Sequence, residues 1–383
     1  MSILNNKLFR DIVSQLIVVI GLVFFIWTIT SNLQHNVDSR GITTGFDFFA
    51  HTAGFGISES PIFYDDESTY FRAFLVGVSN TLIVSAVGIF FATIIGLIVG
   101  IARLSKNFIV SKLALAYIEF FRNIPLLLQI LFWYNVVLAT LPNPRGSIEL
   151  IFNSFLNNRG LYVPKALFEN GFLIIFIAII LAIIISIFIS KRAKHKFEET
   201  GKETTVYPAI LAVMIGLPLL AYNLSGGGLS FDNPHLQGFN FKGGMNFSPE
   251  FLALSFALSV YTASLIAEAI RSGIESVPTG QKEAAASLGL NSFKSLKLVV
   301  LPQAIRIAVP PIIGQYLNLI KNSSLATAIG YPDIVTVFSG TVLNQTGQAI
   351  EIIAVTMGVY LTISLSVSVL LNIVNKKLEI KGR

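Results

Sequence analysis

Residues 277–311 read VPTGQKEAAASLGLNSFKSLKLVVLPQAIRIAVPP, a polar run that follows directly on the strongly apolar residues 251–270. Its landmarks are Gly280 and Gln281, then Glu283, Ala284 and Ala285, then Gly289, Val299, Leu301 and Pro302. Thr279 is placed to cap a helix whose start carries Gln281 and Glu283, groups that suit a helix N-terminus. Ala284, Ala285 and Ala286 form helix strongly and have almost no side chain, which makes a slim rod able to enter a partner's groove. Gly289 suits the left-handed residue that ends such a helix. Asn291 caps a second helix, and Pro302 closes that helix or opens the next. The expectation is a helix–turn–helix lying at a membrane surface, with an ordinary amphipathic connector as the plainer reading.

The rest of the chain supplies the membrane. Its 383 residues are 53% hydrophobic and only 13% charged, against about 25% charged in soluble domains. There is no cysteine, hence no disulfide or thiolate–metal framework, and the four histidines are too scattered for a zinc site. Apolar stretches of about 18–25 residues are candidate spans. Eight are read at 12–29, 75–101, 114–140, 172–190, 207–224, 250–270, 306–325 and 350–373. The fifth is weakened by Pro208 and Pro218, and the seventh fades through residues 321–324.

Lys and Arg set the orientation. With the N-terminus inside, 19 of the 27 basic residues fall in cytoplasmic segments and six in the opposite loops, while Arg122 and Lys321 fall within spans. Both termini and the 277–311 loop are then cytoplasmic. The net charge of +6 follows membrane sidedness and does not imply nucleic acid. No small-residue cleavage pattern follows Thr30, so the first span reads as an uncleaved anchor. The outer loop at residues 31–71 is acidic. Those at 142–170 and 225–249 are rich in Gly, Pro and Asn, with Gly226-Gly227-Gly228 and Gly243-Gly244 in the last, and are expected to form a cap of short turns. Residues 191–203 mix signs and read as a solvated linker.

The 277–311 loop resembles the EAA loop of the membrane subunits of ABC importers, with every fixed position matched except that Val299 stands for the usual isoleucine. Nearly the whole chain is similar to the larger permease subunits of general polar amino acid importers. Residues 81–105, 117–135, 238–274 and 319–335 carry the likeness with the loop. The resemblance implies an all-α polytopic protein with a five-helix permease core, formed by the second, third, sixth, seventh and eighth spans, plus additional helices. It divides the chain into an anchor helix with its outer loop (1–74), a first part of the core (75–141), outer loops with an inserted helix pair (142–249), and a second part of the core (250–383) with the coupling loop at about 273–303. It also implies partners: a second permease subunit in a heterodimer, an ABC ATPase dimer, a periplasmic amino acid-binding protein and the lipid of a bacterial cytoplasmic membrane. No cofactor is expected in this chain, and ATP with Mg would be held by the ATPase. The chain has no Gly-x-x-x-x-Gly-Lys-Ser/Thr, since Gly201-Lys202 is followed by Glu203. It is not expected to be an enzyme.

Polar groups within spans are candidates for the translocation path or its gate. Glu119 and Arg122 stand three apart on one helical face, able to pair, with Asn123 and Gln129 nearby and Pro125 freeing the Phe121 carbonyl from its helix bond. The phrase RNIPLLLQ matches a recurrent Arg-x-x-Pro-Leu-Leu signature of the family. Glu268 and Arg271 repeat the spacing of three at the inner end of the sixth span. Lys321, Asn322, Ser323 and Ser324 form the densest polar cluster, and Pro310 and Pro311 are expected to break or kink the helix before it. A zwitterionic amino acid needs a donor for its carboxylate, which Lys321 offers, and an acceptor for its ammonium. The plainer readings are helix-end ion pairs and a lysine reaching to the outer interface. The competing function is a secondary transporter or channel working without an ATPase, for which no span carries a lone mid-helix Asp, Glu or His.

Overall fold

A backbone in hydrocarbon must satisfy its own N–H and C=O groups, so a chain this apolar crosses as helices. The computed structural model describes residues 7–41, 44–168, 172–201, 205–225 and 229–378. The triglycine at 226–228, the Lys202-Glu203 pair, Lys381 and Arg383 lie outside the described residues. Among those described, seven helices are long and apolar enough to span, or eight if one broken pair counts as a span. They are α1 (Lys7–Arg40), α2 (Tyr70–Arg103), the pair α3 (Phe108–Asn123) and α4 (Leu126–Phe132), α5 (Phe172–Thr200), α6 (Tyr207–Leu224), α7 (Pro249–Glu275), a helical run leading into α10 (Leu301–Asn322), and α12 (Ala349–Leu378). Short helices α8 (Thr279–Ser287), α9 (Ser292–Ser295) and α11 (Leu343–Thr346) complete the helical set.

Two spans differ from the sequence reading, and a third holds despite its prolines. The third is not continuous: α3 stops at Asn123, because Pro125 forces Ile124 into extended backbone. The seventh does not break at Pro310-Pro311, and α10 runs through both prolines. Only the two N–H groups are lost, and packed neighbours make such a loss tolerable in a membrane helix. The fifth survives Pro208, which sits in the first turn of α6 where no donor is needed, and carries Pro218 in its interior.

The chain divides into two compact units, residues 1–127 with 254–383, and residues 128–253. In the first, α2 and α7 run side by side with almost no side chain between them. The Cβ of a residue at Gly88 would touch Leu319 and Leu258. At Gly96 it would lie 2.7 Å from Ile266 Cγ2 and 3.1 Å from the Ala263 carbonyl, and at Gly100 3.1 Å from the Ala267 carbonyl. With Ala92, these residues recur every fourth position along one face of α2, so the backbones approach closely. α10 joins through Leu319 at Gly88, the Tyr316 hydroxyl 2.8 Å from Thr93 Oγ1, and Ala304 and Ala308 against Gly273. We expect Gly96→Val to lower the melting temperature of the purified protein by a shift equivalent to about 1–3 kcal/mol of overpacking. Gly216→Ala, which meets open space in α6, should leave it unchanged or slightly raised. Equal melting of Gly96→Val and wild type would show that the seam is loose.

Residues 44–69 fold onto the outer end of α2. Phe48 and Phe49 pack on Phe338, from the π-helical turns Val335–Val342, within a buried cluster that includes Tyr70, Ala73 and Ile334. The Thr69 side chain caps α2 by accepting from Arg72 N–H.

In the second unit, α5 and α6 pack on each other through Ile175, Ala178 and Ala221, while most of their remaining apolar surface is exposed, as befits lipid contact. The outer connections are antiparallel ladders where the sequence suggested only turns. The strands are β1 (Ile148–Leu150), β2 (Ser154–Asn157), β3 (Gly160–Val163), β4 (Lys165–Phe168), β5 (Leu229–Asp232), β6 (His235–Gln237), β7 (Asn240–Lys242) and β8 (Met245–Phe247). They form a four-stranded sheet in the order β1-β2-β3-β8 and the pairs β4-β5 and β6-β7. Strands of three or four residues are too short to show alternation in sequence. The β4–β5 ladder, from Lys165 opposite Asp232 to Phe168 opposite Leu229, joins the segments that enter α5 and leave α6. Gly160 is obligatory: its φ is +119°, and a Cβ there would fall 2.1 Å from the Phe247 carbonyl.

Candidate coupling loop and translocation site

The loop after α7 folds as two short helices. α8 is exposed along its length except for Ala285, which is 3% exposed. Gly280, Gln281, Glu283 and Ala284 therefore stand on an open surface. Thr279 does not cap α8. Pro278 takes that position with its extended ψ of 137°, and Thr279 becomes the first helical residue without a capping bond. The other end follows the sequence reading. Gly289 is left-handed at φ +74°, Leu290 N–H donates to the Ala285 carbonyl and Gly289 N–H to that of Ala286, two bonds that satisfy otherwise unpaired carbonyls. Asn291 Oδ1 accepts from Lys294 N–H at 2.9 Å and caps α9. From there the chain stays helical through the π-helical turns Leu296–Val300 into α10, with Pro302 in the first turn. Leu301 and Pro302 thus join the loop to a span without a break. Val277, Val300 and Ala304 bury together beside Ile274, and Gln303 Nε2 donates to the Val299 carbonyl. The loop is fastened at its root and free at its tip.

Two residues of the tip escaped the sequence reading. Leu288 is 80% exposed and Phe293 71% exposed, on either side of the Gly289 turn. Leu296 and Leu298 are exposed further along the same segment, so the tip carries several large apolar side chains, a candidate contact for a partner. Their proximity to the motif was visible in the sequence, but their exposure was not, since either could have been packed beneath the helices.

At the inner end of the first unit, one of the two expected ion pairs forms. Arg271 holds Glu268 with two bonds, Nε to Oε2 at 3.0 Å and Nη2 to Oε1 at 2.5 Å, and also reaches Glu275. Glu119 does not pair with Arg122. Asn123, one turn further on, donates Nδ2 to the Glu119 carboxylate at 3.2 Å. Arg103 of α2 donates Nη1 to the Ser111 hydroxyl of α3 at 2.9 Å, and neither Arg103 nor Arg122 forms an ion pair with Glu268 among the described residues. Gln129, in the second unit, is buried at 4% exposed.

Lys321 ends α10 and is exposed. Asn322 and Ser324 are half-buried, and Ser323 is fully buried with its hydroxyl donating to the Ile320 carbonyl at 2.7 Å. Ser324 Oγ donates to the Lys321 carbonyl. Arg103 ends α2, Arg271 lies in the last turns of α7, and Gly273 packs between Ala304 and Ala308, which brings Arg306 to the same level. Lys321 is 15 residues beyond Arg306, about 22 Å along the helix at 1.5 Å per residue. Its side chain is exposed, and a lysine stem of this kind can carry its charge several ångströms from the backbone.

Comparisons with known proteins place these features in a family. The model of the family described as "Binding-protein-dependent transport system inner membrane component" matches residues 205–380, which include the whole loop. A protein of Escherichia coli K12 named putative amino-acid ABC transporter permease protein YhdX is 50% identical over 378 residues, 99% of this chain and 96% of that one. The general L-amino acid transport system permease protein AapQ of Rhizobium johnstonii is 48% identical over 383 residues, 100% of this chain and 95% of its own. The glutamate/glutamine/aspartate/asparagine transport system permease protein BztB of Rhodobacter capsulatus is 36% identical over 407 residues, with 98% and 95% covered.

Proposed function

Because the chain belongs to the binding-protein-dependent inner membrane components, as a multi-pass permease subunit of amino-acid ABC importers, we propose that it carries polar L-amino acids across the cytoplasmic membrane by alternating access, driven through the α8–α9 loop by ATP hydrolysed in a partner. One observation carries this reading. The motif residues Glu283 and Ala284, with Leu288 and Phe293, stand exposed on a cytoplasmic helical hairpin whose root runs unbroken into α10. A partner that moves this hairpin moves a span.

The chain's own residues do three things in this scheme. The hairpin enters a groove of an ATPase dimer, which supplies ATP and Mg. The Glu268–Arg271 pair stands at the inner mouth and acts as a gate. The turn at residues 321–324 offers a cation and hydroxyls to an amino acid's carboxylate and ammonium. A second, similar permease completes the pathway as a heterodimer, and a periplasmic binding protein delivers the solute. The names of AapQ and BztB support polar amino acids as the class.

Reconstitution in proteoliposomes tests the scheme. Uptake of labelled glutamate or glutamine should require ATP, both permeases, the ATPase and the binding protein, and omission of the ATPase should abolish it. Concentrative uptake by the permease alone would refute it. Lys321→Ala should lower the maximal uptake rate about tenfold, the cost of one charge-assisted hydrogen bond, with the same amount of ATPase bound. Unchanged uptake would make Lys321 an interfacial anchor.

A further inference from the structure

The most deeply buried carboxylate described belongs to Asp333, 0% exposed, in the Gly-Tyr-Pro-Asp turn that follows α10. Its partners come from two directions. Asp333 Oδ1 accepts from Thr336 N–H at 2.8 Å and caps the helical turns that begin at Ile334, while Oδ2 accepts from the Tyr360 hydroxyl of α12 at 3.1 Å. α2 closes the third side. Asn80 Nδ2 donates to the Pro332 carbonyl at 2.9 Å, Thr81 Oγ1 accepts from Ile334 N–H at 3.1 Å, and Gly77 lets the backbone of Ile334 approach so closely that a Cβ would lie 3.0 Å from its Cα. The Tyr360 hydroxyl also touches Ser323 Oγ at 3.5 Å, in the polar turn. Ser323 already donates to Ile320, so Tyr360 supplies a wall there and not a second strong bond. Tyr360 is held in turn by the one carboxylate that accepts its proton.

We propose that Asp333 is a positioning residue for the polar turn at residues 321–324: its carboxylate fixes the Tyr360 hydroxyl, and Tyr360 holds Ser323 in place. Asp333 meets no solute itself. Its value for transport rests on the reading of that turn as a solute contact, whereas its hold on the turn does not. Removing either partner leaves the other buried without its bond. The two side chains therefore act as one unit, and their effects should not add.

The test uses the absence of cysteine from the chain. Ser324→Cys places a single thiol on the polar turn, and its rate of labelling by a small maleimide is followed in the assembled importer. Added Asp333→Asn or Tyr360→Phe should each change that rate at least about threefold, and the double variant should change it no more than the larger single one. Maximal uptake, in variants that keep Ser324, should fall about tenfold for each, with the half-saturating solute concentration unchanged. Complexes are compared at equal amounts of assembled permease and ATPase, and a third variant, Thr336→Val, keeps the backbone donor and should label as wild type. Unchanged labelling in Asp333→Asn and Tyr360→Phe, or additive effects, would overturn the proposal, as would failure of both variants to assemble, which would make the pair a folding element. Altered labelling with unchanged uptake would uphold the positioning and refute the solute role of the turn.

Discussion

Glu283→Lys is expected to cut uptake by the assembled importer about 100-fold while the permease stays folded. The side chain is exposed on α8, and the Glu283 carbonyl accepts the Ser287 hydroxyl through a bond that needs no carboxylate. Reversing the charge places a lysine where, in the proposed scheme, the partner receives an acid. A loss of about 3 kcal/mol at a desolvated charge contact corresponds to roughly 100-fold. Basal ATP hydrolysis should continue, because the proposed scheme puts the nucleotide site on another chain, so the measured ratio of amino acid moved to ATP consumed should collapse. Wild-type uptake in this variant would remove Glu283 from the coupling contact. A lower melting temperature of the isolated permease would mean that the residue acts on the fold.

The second large effect concerns the apolar tip. Truncating Leu288 and Phe293 together to alanine should release the ATPase from the permease in detergent. Buried apolar and aromatic anchors at interfaces each contribute about 2 kcal/mol or more, so one alone should weaken binding roughly 30-fold and the pair further, though not additively. The permease itself should melt as before, since both side chains are exposed in it. Co-purification and a binding titration measure the change. Affinity equal to wild type would mean that the exposed pair touches lipid or water and no partner.

These two predictions draw on different sources of information. Glu283 stands out in the sequence, because a fixed spacing of acid, alanines, glycine and Leu-Pro is a pattern along the chain. Gly289 and Asn291 are equally legible, since a left-handed glycine and a capping asparagine act within a few residues of themselves. Thr279 was misleading for an equally local reason: Pro278, with its fixed φ, occupied the capping position first. Leu288 and Phe293 were not legible as contacts, because exposure depends on what else folds over a side chain.

The spans show the same division. Their number was written in runs of apolar residues, because transfer into lipid is a property of segments. The effect of prolines was not: Pro125 ends α3, yet Pro310 and Pro311 ride inside α10. A missing N–H is decided by the neighbours that can compensate for it. Spacing of three suggested two ion pairs, and Glu268 with Arg271 formed while Glu119 turned to Asn123.

By itself, the sequence determined that this is a helical membrane protein and where the α8–α9 hairpin turns, since hydrophobic length and local turn chemistry each act over one segment. Only the tertiary structure decided the approach of Gly96 to Ile266, the packing of Gly273 on Ala304 and Ala308, and the burial of Asp333 against Tyr360. Each of these joins residues tens to hundreds of positions apart, and their meeting depends on how closely α2, α7, α10 and α12 approach. That approach is set by small residues such as Gly88, Gly96 and Gly273, whose effect appears only when a second helix lies against them.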